Sequence, residues 1–198
     1  MDWKSILEAK AQTAHWSDKV PDVSLIHEIL DELHRYCPSK QNHVPYEITV
    51  MDWSKPDVRH EIFKNTWCDE SGNNEDLTDV PEARRNPQCL APYLLLFNHR
   101  WIVDSNGFSD DNANYYSPIE IGIASMFVVH SAVSKGLDIG FTGCHRDENI
   151  VLSLGIGYAD PNANDMFFNP LTQKKQFHDF PGRESEPKPA KEDYIKFQ

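Results

Sequence analysis

Residues 117–136 constrain the fold more than any other stretch of the chain. Ser117 stands as a helix cap, Pro118 takes the first helical position and Glu120 follows three residues after the cap, the pattern of a capping box. Apolar residues continue through Ile123, Met126, Phe127 and Val133, with His130 among them, until Gly136 supplies a left-handed stop. A helix that is apolar almost all round has no face to give to water. The segment therefore predicts a central buried helix that other layers must cover.

Those layers are legible in the periodicity. Residues 3–14 predict a helix with Asp2 as cap and Ile6, Leu7 and Ala11 along one stripe. Ile26, Ile29, Leu30 and Leu33 recur with helical spacing and predict a second amphipathic helix that closes near Tyr36, before Pro38. Ile48 and Val50 alternate with polar neighbours over 46–51, the period of a strand. Ser54, Pro56 and Asp57 open a helix running to about Trp67. Residues 91–97 form a continuous apolar run, a strand buried on both faces. Two further strands follow the central helix, over 139–144 and 150–158. Between them the polar stretches 68–88 and 104–116 predict loop, and the proline-rich last forty residues predict a tail that is disordered or lies across another surface. The order of elements predicts one α+β domain over 1–198: helices packed on a mostly antiparallel or mixed sheet, with a variable region at 68–116 and an extended tail at 159–198.

Charge and cysteine usage narrow the function. A formal charge of −12 repels phosphodiester backbones and argues against nucleic-acid partners. No apolar run approaches the length of a membrane span, and Met1-Asp2-Trp3-Lys4 lacks the features of a secretory signal. Cys37, Cys68, Cys89 and Cys144 stand far apart, without zinc-ligand spacing, and read as reduced thiols of a cytoplasmic protein. His27 and His34, seven apart on one helix and without a carboxylate motif, read as surface or capping residues rather than metal ligands.

Gly155-x-Gly157 lacks the third glycine and following helix of a dinucleotide fingerprint, so it reads as a close-packing device in a strand. No nucleophile elbow, phosphate-binding loop or zinc-protease motif occurs. The segment from Cys37 to Ile48 is more informative. It offers a hydroxyl, an amide side chain and exposed backbone donors on a turn between two prolines. Such a set suits a planar heterocycle with carbonyl and imide groups, and it equally describes an ordinary helix-to-strand loop.

Pro38-Ser39-x-x-Asn42-x-x-Pro45-Tyr46 resembles the signature of the nitroreductase family of FMN-dependent oxidoreductases. Trp16-Ser17-Asp18-Lys19, the Ala91-Pro92 strand entry, Pro118-Ile119-Glu120, Gly136-Leu137, Leu154-Gly155-x-Gly157-Tyr158 and a basic segment from Pro187 to Asp193 match that family in order. The resemblance implies a nitroreductase-like sandwich, a central sheet flanked by helices, in an interlocked homodimer with FMN at the interface. Carried across by motif, Ser39 and Asn42 contact the flavin ring or ribityl chain, with Pro38 and Lys40 beside them. Ile119 and Glu120 present backbone amides at a helix N-terminus toward the reactive edge, where the dipole favours the anionic reduced ring. Gly136 and Leu137 shape the backbone at the other end of that helix.

The phosphate positions differ from the family pattern of Arg, Ser and a second basic residue, reading Lys10, Gln12 and Ala14. Lysine supplies a point charge without the bidentate fork of arginine. The tail partners implied are Lys188 and Lys191. The activity implied is transfer of a hydride from NADH or NADPH through FMN to a small organic acceptor, of nitroaromatic or quinone type, in alternating half-reactions. No catalytic side chain and no metal is needed, because the cofactor carries the chemistry. The altered phosphate positions motivate a second reading, a flavin-binding or flavin-free dimeric scaffold or sequestering protein of the same fold. A specialised flavin enzyme acting on a peptide, or fragmenting flavin itself, is a third. Residues 68–116 are the expected lid, in which Trp101, Tyr115 and Tyr116 are available for stacking or for packing.

Overall fold

The computed structural model describes residues 13, 16–52, 87–103, 106–107, 109–143, 145, 147–161, 167–169, 174–176 and 195. The helix expected over 54–67, most of the polar stretch 68–88, and Cys68 and Cys144 lie outside the described residues; of the helix expected over 3–14 only Thr13 is described, and it is not helical.

Helix α1 (Val23–Tyr36) begins where Asp22 accepts the Ser24 amide at 2.8 Å, and it buries Ile26, Ile29 and Leu33. Four strands form one antiparallel sheet: β1 (Tyr46–Asp52), β2 (Tyr93–His99), β3 (Asp138–Thr142) and β4 (Ile150–Gly157), in the order β1-β2-β4-β3. The sheet is thus antiparallel throughout its described strands. Its registers pair Tyr46 with His99, Tyr93 with Ile156 and Asp138 with Gly157. Central β2 is buried on both faces, as its continuous apolar run requires. Tyr93, Leu95 and Phe97 join the core under the helices, whereas Leu94 and Leu96 pack with Cys89 on the opposite face.

The central helix, α3 (Ser117–Ser134), lies between α1 and the sheet and buries Ile121, Ala124, Val128, Val129 and Ala132. Among the described residues it is the one helix long and apolar enough to cross a membrane, yet over half of it is buried against the chain's own core. Burial all round is not observed. Ile119, Ile123 and Met126, one stripe at helical spacing, are 54%, 44% and 46% exposed within the single chain. Gly136 ends the helix at φ +79°, with the Gly136 amide donating to Val133 O and the Leu137 amide to Ala132 O.

Three sequence expectations are corrected. Residues 111–115, expected as loop, form a short helix α2 (Asp111–Tyr115) that leads into α3. The capping box does not form: Tyr116 occupies the cap position and no side chain bonds there, because Ser117 and Glu120 are both engaged by other segments. Within the expected tail, β5 (Phe167–Asn169) and β6 (Lys174–Gln176) pair as an antiparallel ribbon.

The glycines of β3 and β4 do what strand glycines at close approaches do. A Cβ at Gly155 would stand 2.3 Å from the Gln88 carbonyl oxygen, and one at Gly140, its cross-strand partner, 2.4 Å from the Thr13 carbonyl oxygen. Thr13, Trp16, Ser17 and the segment 87–92 therefore lie directly on the sheet's second face. Hydrogen bonds from Thr13 N to Ile139 O and from Ser17 N to Tyr158 O, both 2.8 Å, hold Thr13 and Ser17 there.

Candidate functional site

Three pieces of chain converge beside the N-terminus of α3: the loop 37–45, the end of β2 with Arg100, and the first turn of α3. Helix α1 stops at Cys37, where the chain turns extended ahead of Pro38, and a short 3-10 turn (Lys40–Asn42) precedes β1. Ser39 Oγ donates to Glu120 Oε2 at 2.6 Å, and the Lys40 amide donates to Glu120 Oε1 at 2.9 Å. The same Ser39 Oγ accepts the Val44 amide at 2.8 Å. Glu120 is only 5% exposed, so its carboxylate is a buried acceptor whose two oxygens are both bonded by this loop.

The far side of the loop is held by Arg100, whose Nη2 and Nε donate to the carbonyls of His43 (2.6 Å) and Val44 (3.0 Å). The Arg100 amide and the buried Ser117 hydroxyl both donate to Pro45 O, at 3.2 and 2.7 Å. Since the single hydroxyl hydrogen of Ser117 goes to Pro45, the 2.9 Å contact with His99 requires His99 Nδ1 to be the donor.

At the rim, the Lys40 ammonium sits 3.8 Å from the centre of the Tyr116 ring, and Tyr115 meets Tyr116 edge to face. Trp101 and Tyr115 are 70% and 73% exposed. The Asn114 side chain accepts the Ile102 amide at 2.9 Å and donates to the Ile102 carbonyl at 3.3 Å, fixing one exposed aromatic residue on either side of that pair.

Beneath the loop, burial pushes the Cys37 thiol up, the negative field of Glu120 adds to this, and a hydrogen bond from Tyr46 opposes it. Burial likewise raises Tyr46, reinforced by Cys37 and by Glu120. Both groups are neutral near pH 7. The neutral thiol is a poor nucleophile.

The sequence-predicted residues divide cleanly. Pro38, Ser39, Lys40 and Asn42 share the loop, with Pro38, Lys40 and Asn42 exposed, and Ile119 and Glu120 adjoin it. The Glu120 amide is not presented outward. It donates to Tyr116 O within the helix, so the carboxylate is the part of Glu120 that meets the loop. Gly136 and Leu137 are not brought to this place: at 1.5 Å per helical residue they lie about 24 Å from Glu120 along α3. Leu137 is fully buried, and both amides are engaged in the helix cap. Lys10, Gln12, Lys188 and Lys191 lie outside the described residues. Arg100 and His99 carried no sequence signal beyond polarity after an apolar strand. Ser117 did, but its pattern indicated a cap rather than a bond to another segment.

No protein-family model matches the sequence, and no curated protein sequence matches it. Solved structures do. An FMN- and NADPH-dependent nitroreductase from Sphigopyxis sp. strain HMH superposes with a TM-score of 0.63 at 14% identity, covering 100% of this chain and 99% of that one. A gut-bacterial enone reductase of fatty acid saturation gives 0.61 at 12% identity, over 85% and 92%. A nitroreductase with bound FMN from Bacteroides fragilis NCTC 9343 gives 0.57 at 13% identity, over 82% and 91%. With this agreement over most of both chains, and with the loop and helix start meeting as described, the protein has the nitroreductase fold.

Proposed function

We propose that this chain is an FMN-dependent oxidoreductase that takes a hydride from NADH or NADPH and delivers it to a small organic acceptor. The observation that carries the reading is the meeting of the Ser39–Asn42 loop with the first turn of α3 on a nitroreductase fold. The donor set fits a flavin ring: the exposed Asn42 amide offers both hydrogen-bond signs, and the Lys40 ammonium and the helix dipole add positive potential. Bound beside these residues, FMN would supply the redox chemistry. Lys10, Gln12, Lys188 and Lys191 are the residues proposed for its phosphate, and nitroaromatics, quinones and enones are the acceptor classes to assay.

The exposed stripe Ile119, Ile123 and Met126, on a helix otherwise buried, supports assembly as a homodimer through α3. In such a dimer Gly136 and Leu137 of one protomer are proposed to shape the site of the other. A reducing, cytoplasmic setting is proposed with it, in which the buried Cys89 and half-buried Cys37 remain thiols.

The test is optical. Purified protein supplied with FMN is expected to retain a yellow chromophore on gel filtration, to elute as a dimer, and to bleach anaerobically with NADH or NADPH. Protein that remains colourless, with no affinity for added FMN, refutes the reading in favour of a scaffold without turnover.

A further inference from the structure

We propose that Glu120 and Arg100 are positioning residues that hold loop 39–45 preformed for its ligand, acting through the backbone of that loop. Within four residues the loop places Gln41 at φ +55°, Asn42 at +57° and Val44 at +46°, all in the left-handed region and none a glycine. Sterics disfavour that region for any residue with a Cβ, most of all for a β-branched one such as Val44. Local sequence therefore argues against the observed conformation, and contacts from outside the loop must impose it.

Those contacts come from two directions. Glu120 takes the entrance of the loop, bonding Ser39 Oγ and the Lys40 amide, and its grip is passed on as Ser39 Oγ accepts the Val44 amide. Arg100 takes the exit, bonding the carbonyls of His43 and Val44. The bonds within the loop, Asn42 N to Ser39 O at 3.2 Å and His43 N to Lys40 O at 3.1 Å, are longer. Glu120 is buried where Arg100 is exposed, so the carboxylate is the stronger holder. This assigns Glu120 a task different from capping its own helix: the carboxylate reaches across to a segment some eighty residues earlier.

The proposal rests on the flavin reading for its ligand, but the clamp itself is measurable without one. The experiment uses the full chain in two arms: amide hydrogen exchange at Lys40 and Val44 with no FMN added, and FMN affinity by quenching of flavin fluorescence. Glu120→Ala is expected to speed exchange at both amides and to weaken FMN by about 10- to 100-fold, the range for lost charge-assisted hydrogen bonds. Glu120→Gln keeps one acceptor oxygen and the side-chain shape, and is expected to fall between; it carries the test if the alanine variant does not fold. Arg100→Gln is expected to weaken FMN by about 3- to 10-fold.

The decisive comparison is rescue. Val44→Gly removes the steric objection to a left-handed residue and is expected to recover about threefold of the affinity lost in Glu120→Ala, while changing the wild-type background less. A residue that only supported overall stability has no reason to be rescued from Val44. Unchanged exchange in folded Glu120 variants, or loss without rescue by Val44→Gly, overturns the proposal. If the wild-type chain binds no FMN, the flavin reading fails, and the exchange arm still decides the clamp.

Discussion

The two ends of helix α3 solve the same problem in opposite ways. At its C-terminus, carbonyls that lack helical partners are satisfied locally, by the amides of Gly136 and Leu137 in a left-handed cap. At its N-terminus nothing local is satisfied by side chains. Ser117 bonds the Pro45 carbonyl and His99, Glu120 bonds Ser39 and Lys40, and the cap position has no side-chain bond at all. One end is closed by its own sequence, while the other is open and used to fasten a distant loop. Within one protomer the C-terminal end serves the helix itself, and the N-terminal end serves the loop 37–45.

Substitutions can break that contrast. The largest effect is expected from Ser117→Ala, which leaves a buried carbonyl and an imidazole N–H with fewer partners, costing about 1–3 kcal/mol. If the N-terminal end serves the site, FMN affinity falls with it, and thermal melts paired with flavin titrations read both. Next comes Gly136→Ala. A Cβ there meets nothing within 4 Å, so the cost is that of the left-handed backbone alone, about 1 kcal/mol. Because Gly136 is proposed to shape the partner protomer's site, its FMN affinity is read beside the melt and is expected to fall by no more than about fivefold, the equivalent of about 1 kcal/mol. An affinity loss equal to that of Ser117→Ala would give the two ends of α3 equal weight in holding the cofactor and erase the contrast.

A smaller effect is expected near the C-terminal end from the bridge to α1. Lys135 Nζ meets Glu32 at 2.7 Å and Glu28 at 3.1 Å, and Ser131 Oγ also donates to Glu32. Lys135→Met should cost about 0.5–1 kcal/mol in a chemical denaturation series, with FMN affinity unaffected. The pH dependence follows from the shifts. Glu32 is lowered from 4.5, first by its hydrogen bond with Lys135, so its contribution is present above pH 4.5 and lost as pH falls through the depressed value. Lys135 is raised from 10.5, first by its hydrogen bond with Glu32, so its contribution is complete below pH 10.5 and lost as pH rises beyond it. The stability difference between wild type and Lys135→Met should therefore be flat near neutrality and shrink at both extremes.

The same contrast explains what could be read in advance. Gly136 was legible because a left-handed cap is written within a few residues, and so were α1, the four sheet strands and the doubly buried β2, whose periods are local. The Ser117-Pro118-x-Glu120 pattern was equally clear and indicated the wrong bonds. A capping box and a tertiary anchor use the same residue types at the same spacing, and only the packing of loop 37–45 against the helix start decides between them. Arg100 was invisible for a related reason. Its partners are backbone carbonyls, which leave no trace in the identity of the residues that carry them. The loop signature itself was legible only by family resemblance, because two of its three left-handed residues, Gln41 and Val44, contradict local preference.

The contact of Thr13 and of the segment 87–92 with the second sheet face has a bearing on how freely the sequence can vary there. At positions 140 and 155 the neighbours are main-chain oxygens, so the requirement there is for the absence of a side chain, whatever reaction a descendant catalyses. Polar residues at a cofactor site can be exchanged as ligands and acceptors change. A spacing of bare positions across β3 and β4 cannot drift in that way without moving whole segments of chain. Adding a methyl group at either glycine would therefore displace backbone rather than a side chain, a constraint set by the fold and not by any ligand.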